Sequence, residues 1–196
     1  MKNIYIILIL FLSFTIFSCA KKSDTSSTTT TTTEVEGTWL TTCYDAGSNY
    51  KIQTLIVSGT SVSHKIQDYD DSSCSTDNGT WIDAYSSLSI GDNRTFTGGS
   101  TGHRFSLSVS SFTYTPTKDS EVSLLNAAVN CGYSDWTLNT AKDYTGKTCG
   151  STTYTVANTT YLGLYMLVGN NLHLGDFTTN GIYPTSVYTS VPLVKQ

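Results

Sequence analysis

Residues 103–116 read HRFSLSVSSFTYTP. Phe105, Leu107 and Val109 fall on one side of an extended chain, and Arg104, Ser106 and Ser108 on the other. A two-residue period of this kind is that of a strand with one face buried. The phase slips at Ser110-Ser111 before Phe112 and Tyr114 resume it. Such a slip predicts a β-bulge, where the strand bends round a corner.

Other stretches repeat the pattern. Tyr50 to Asp70 holds two β-rich runs around Ser58-Gly59-Thr60-Ser61, a hairpin whose second arm carries Val62, His64 and Ile66 on one face. Residues 81–93, WIDAYSSLSIGDN, place Leu88 and Ile90 together and predict a turn at GDNR, residues 91–94. Tyr161 to Val168 is apolar on both faces. After Gly169-Asn170-Asn171, Leu172 and Leu174 alternate with His173, which makes a second hairpin with a buried first arm. The last residues, VYTSVPLVKQ, read as a closing edge strand, the one place where Pro192 is tolerated.

Only Lys118 to Asn130 reads as helix, with Asp119 or Ser120 as N-cap, one face of Val122, Leu125 and Val129, and Gly132 as its stop. The expected fold is therefore all-β: an antiparallel barrel of about eight strands with one short helix. Closing the sheet removes its exposed edges. A flattened β-sandwich of similar strand count is the alternative.

Composition narrows the function. Thirteen tyrosines, seven phenylalanines and three tryptophans stand in a chain with only 13% charged residues and a net charge of −4. Nothing forms a basic patch, which excludes nucleic acid as a partner.

The first residues set the compartment. Lys2 precedes an apolar run from Ile4 to Phe17. Its length of about fourteen residues is too short for a hydrocarbon core of about 30 Å at 1.5 Å per residue. A secretory signal peptide over residues 1–18 fits. Ile16-Phe17-Ser18-Cys19 resembles the lipobox of bacterial lipoproteins, aliphatic then small before the cysteine, with Phe17 departing from the commonest form. The resemblance implies cleavage before Cys19, a diacylglycerol on its thiol and an acyl chain such as palmitate on its amine. Such an anchor holds a protein on a membrane without spanning it. Ala20, in place of an inner-membrane retention signal, points to the outer membrane. Residues 19–35 continue with AKKSDTSSTTTTTTEV after the cysteine, too polar to offset the entropy of ordering, and read as a disordered tether.

The remaining cysteines are Cys43, Cys74, Cys131 and Cys149, an even number in an exported chain, and pair as disulfides. Three connectivities exist. Cys43–Cys74 with Cys131–Cys149 is favoured, because local pairs close short loops beside predicted strands and turns. The close paired spacings of a zinc site are absent, and no metal is expected.

The domain over residues 36–196 opens on Glu36-Gly37-Thr38-Trp39. This G-x-W resembles the start of a lipocalin (calycin) barrel, in which the tryptophan closes the barrel floor. GTWLTTC followed by YDDSSC, and the ending LHLGDF…YPTS…K, resemble lipocalin-like domains of bacterial lipoproteins. The family's late arginine over the tryptophan is missing, since no arginine follows Arg104, and Lys195 stands in the vicinity.

No catalytic set or cofactor motif is present. His64, His103 and His173 fall on three separate predicted strands, and neither G-x-S-x-G nor H-E-x-x-H occurs. The acidic stretch DYDDSSCSTDNG, residues 68–79, lacks the ligand spacing of an EF-hand and reads as a solvated turn pinned by a disulfide. Two expectations remain. One is a monomeric, membrane-anchored binding module holding a small apolar ligand among inward Phe105, Phe112, Tyr114, Tyr161 and Tyr165, with no enzymatic activity. The other is a filled barrel whose outer Tyr, Ser, Thr and Asn residues meet a protein or glycan.

Overall fold

The structure, a computed structural model, describes residues 33–96 and 100–196. Cys19, the signal peptide and all but the end of the expected tether lie outside the described residues.

Alternation and turn chemistry produce the meander directly. The strands are β1 (Gly37–Leu40), β2 (Tyr44–Asp45), β3 (Tyr50–Ser58), β4 (Ser61–Tyr69), β5 (Asp77–Thr95) and β6 (Thr101–Pro116). After helix α1 (Asp119–Ala127) and a 3-10 turn (Asn130–Gly132) come β7 (Lys142–Asp143), β8 (Thr148–Cys149) and β9 (Thr152–Thr153). The last three are β10 (Thr160–Val168), β11 (Asn171–Leu174) and β12 (Leu193–Lys195). Each of β3, β4, β5, β6, β10, β11 and β12 pairs antiparallel with the next, and β1 pairs with both β12 and β3. The result is a closed antiparallel barrel of eight strands, as the alternation implied. With its single short helix, it has the architecture expected of a lipocalin-like domain. Both edges of the main sheet are consumed by closure.

The β3–β4 hairpin turns on Gly59, whose φ of +57° suits glycine best. The predicted bulge lies at Ser110: Ala84 pairs with Ser111 and Tyr85 with Val109, leaving one residue over. Three expectations change. GDNR is not a turn, because β5 continues to Thr95, its register shifts beyond Ser86 and Ile90 absorbing the turn-prone residues. The final strand is no edge, since Leu193 and Val194 pair with β11 while Val194 and Lys195 pair with β1, and Pro192 sits just before it. The helix starts one residue earlier than its expected caps, on Lys118, which makes no side-chain cap bond. It ends before Val129, which takes a left-handed conformation and is 52% exposed rather than facing inward.

Register stacks the barrel interior in tiers. Val57, Val62, Tyr85 and Val109 are neighbours across β3 to β6. Next come Leu55, His64, Asp83 and Phe112, then Gln53, Ile66, Trp81 and Tyr114. The first tier is apolar and buried. Each of its side chains removed from water contributes about 1.5–3 kcal/mol. The two-faced apolarity of β10 also has its reason: outward Leu164 and Met166 are buried, and Met166 lines a cleft with Thr185, Ser186 and Val187 of the C-terminal stretch.

Cys43 bonds to Cys74 and Cys131 to Cys149, with Cα separations of 5.9 and 4.1 Å. The first clips the loop after β1 to the acidic stretch before β5. The second ties the 3-10 turn to β8. Among the described residues, no helix is long and apolar enough to cross a membrane.

Candidate functional site

The two halves of the barrel differ. In the half nearest the β3–β4 turn, Val57, Val62, Leu88, Ile90, Phe105, Leu107, Tyr165 and Leu172 leave a void of only 30 Å³. That is room for about two waters, and the walls are apolar. Glu34 and Val35, which the sequence puts at the end of the tether, pack onto this end. Val35 is buried and lines the void. Its carbonyl accepts from Trp39 Nε1 at 2.8 Å. Glu34 Oε1 accepts from Tyr165 Oη at 2.6 Å and lies 3.1 Å from His103 Nε2. Glu36 accepts the Gly59 amide of the β3–β4 turn at 3.1 Å. Trp39 itself is 1% exposed. Lys195 Nζ stands 5.1 Å from its ring, where a cation–π contact is favourable.

The other half is hollow. A cavity of 400 Å³ is lined by Ile66, Trp81, Asp83, Tyr85, Phe112, Thr153, Thr155 and Tyr161, with Tyr144, Tyr154 and Phe177 completing its aromatic wall. Small-molecule sites have volumes of about 300–1,000 Å³. Trp81, Asp83 and Tyr85 reach it from β5 because alternation puts them on the inner face. Tyr144 and Tyr154 come from the chain between β6 and β10, folded over the barrel end by Tyr144 N to Phe112 O at 3.0 Å and Phe112 N to Thr145 Oγ1 at 2.8 Å. The rings brace one another: Tyr144 on Tyr154 at 4.3 Å, Trp81 on Tyr144 at 5.4 Å, Phe112 on Tyr144 at 5.9 Å. Phe177 lines both spaces and separates them, 5.6 Å from Phe105 and 6.0 Å from Tyr161.

One carboxylate sits in this aromatic wall. Asp83 accepts from Tyr85 Oη at 3.5 Å, and Tyr144 lines the cavity with it. Loss of water pushes its pKa up to about 6, against partial relief from the neighbouring phenols. Burial, and then the charge of Asp83, raise the Tyr85 and Tyr144 hydroxyls well above the usual phenol range, so both stay protonated donors. Burial pushes His64, across from Asp83 in register, down to about 4. At neutral pH it is an uncharged ring bonded to Gln53 Oε1 at 2.9 Å.

Of the five aromatics expected to line a pocket, Phe112 and Tyr161 line the cavity. Phe105 and Tyr165 belong to the small void. Tyr114 is packed between Trp81 at 4.2 Å and Trp136 at 5.9 Å, beside α1. The W-x-D-x-Y alternation of residues 81–85 puts Trp81, Asp83 and Tyr85 on one face, without marking that face as a cavity wall. Tyr144 and Tyr154 carried no periodic signal. The histidines lie on β4, β6 and β11, as expected, and do not converge. Asp71 anchors the acidic stretch by accepting the amides of Ser73, Ser75 and Thr76 at 2.7 to 3.3 Å, and its hydrogen bonds hold its carboxyl well below the usual range. Among the described residues, no group of three or more His, Cys, Asp and Glu is arranged to hold a metal ion.

Compared with known proteins, the sequence matches no protein-family model and no curated protein.

Proposed function

We propose that this protein is an exported, membrane-anchored binding protein rather than an enzyme, a monomer that holds one small, largely apolar ligand in the hollow half of its barrel. The cavity carries the reading: 400 Å³ of aromatic-walled space beside a half that is packed solid. An eight-stranded barrel is just wide enough to hold one small ligand. Signal peptide, lipobox-like Cys19 and polar tether support attachment to a bacterial membrane, probed below by substitution. The two disulfides fit an oxidising compartment outside the cytoplasm.

Native mass spectrometry of the full chain in detergent, after exposure to a cell extract of lipids and metabolites, tests this reading. The expected result is one retained ligand per chain, lost when Phe112→Ala and Tyr161→Ala open the wall. A clean unliganded mass at every extract concentration refutes the binding reading.

A further inference from the structure

We propose that the cavity takes a small cationic amine, its ammonium group seated on the Asp83 carboxylate and its body held between the aromatic walls. This rests on reading the cavity as a ligand site, and it names the ligand's charge. Asp83 is the sole charged side chain among the described residues that line the cavity, and no positive group lines it. His64, its neighbour across the sheet, is uncharged at neutral pH. The carboxylate accepts from one phenol, Tyr85 Oη, at 3.5 Å, and retains acceptor capacity. Around it stand the faces and edges of Trp81, Tyr85, Phe112, Tyr144, Tyr154, Tyr161 and Phe177, whose negative faces attract a cation. An ammonium group would complete the missing hydrogen bonds with charge assistance. A fatty acid would set a second carboxylate against the first.

Isothermal titration of the full chain in detergent at pH 7.5 tests it with three matched pairs. Each amine is set beside a neutral counterpart of similar shape: phenethylamine with 2-phenylethanol, tyramine with 4-ethylphenol, choline with 3,3-dimethylbutanol. At least one amine is expected to bind about tenfold more tightly than its counterpart, and Asp83→Asn is expected to erase that preference. Equal or tighter binding of the neutral members overturns the amine inference and leaves the binding reading standing. The same is true if all six fail to bind while the extract yields a retained neutral or acidic ligand. The comparison within the wild-type chain decides the matter even where Asp83→Asn fails to fold.

Discussion

His64 and Asp83 face one another across β4 and β5, and their titrations push stability in opposite directions. His64 protonates near 6.5 in the unfolded chain but only at about 4 in the fold, so acidification through that interval favours unfolding. Asp83 protonates at about 6 in the fold but near 3.8 unfolded, so the same acidification favours the fold. Each is worth up to about 3 kcal/mol, at 1.36 kcal/mol per pKa unit. In the wild type the two largely cancel. His64→Gln is expected to gain stability between pH 6.5 and 4, and Asp83→Asn to lose a comparable amount, as read by urea midpoints. Matching pH profiles for the two variants would refute the assignment. Gly163 is a plainer case. It pairs with Phe105 across β10 and β6, and a methyl there would overlap the Phe105 ring. Gly163→Ala should cost about 1–3 kcal/mol in thermal or urea unfolding. A strand's period tells which face Asp83 and Gly163 share. It does not tell that one half of that face is hollow, because that depends on residues brought from elsewhere in the chain.

Elements that follow the two-residue period were legible, and those built from loops were not. The β3–β4 hairpin, the bulge in β6 and the hairpin of β10 and β11 follow from alternation and turn residues alone. The extension of β5 through GDNR was hidden because bulges let turn-prone residues stay in a ladder. The segment from β7 to β9 has little period at all, and its position comes from the Cys131–Cys149 bridge and backbone bonds to β6. Replacing both cysteines by serine should therefore cost about 3 kcal/mol on the chain-entropy model. It should speed amide exchange at Tyr144, Gly146 and Tyr154 while leaving β3 to β6 protected. Exchange rising evenly over the whole barrel would contradict that division. The end of α1 offers the opposite change. Val129, β-branched, is held at φ +48°, a conformation that disfavours a branched side chain. Val129→Gly should raise stability by about 1 kcal/mol in thermal unfolding, and a loss would show that the valine makes a contact worth more than its strain.

At the scale of the molecule, the closed eight-stranded barrel was legible from strand count and the need to remove edges, whereas its division into a solid and a hollow half was not. Strand pattern carries no measure of how side-chain volumes fill a closed ring. Membrane attachment is tested by Cys19→Ala, which should move the protein from the detergent phase to the aqueous phase in phase separation; unchanged partitioning would remove the lipobox reading. The seating of Val35 and Glu34 on the packed end keeps the entry of the chain apart from the aromatic cavity. The described chain enters the barrel beside the β3–β4 turn, at the closely packed half, and the aromatic cavity lies in the other half.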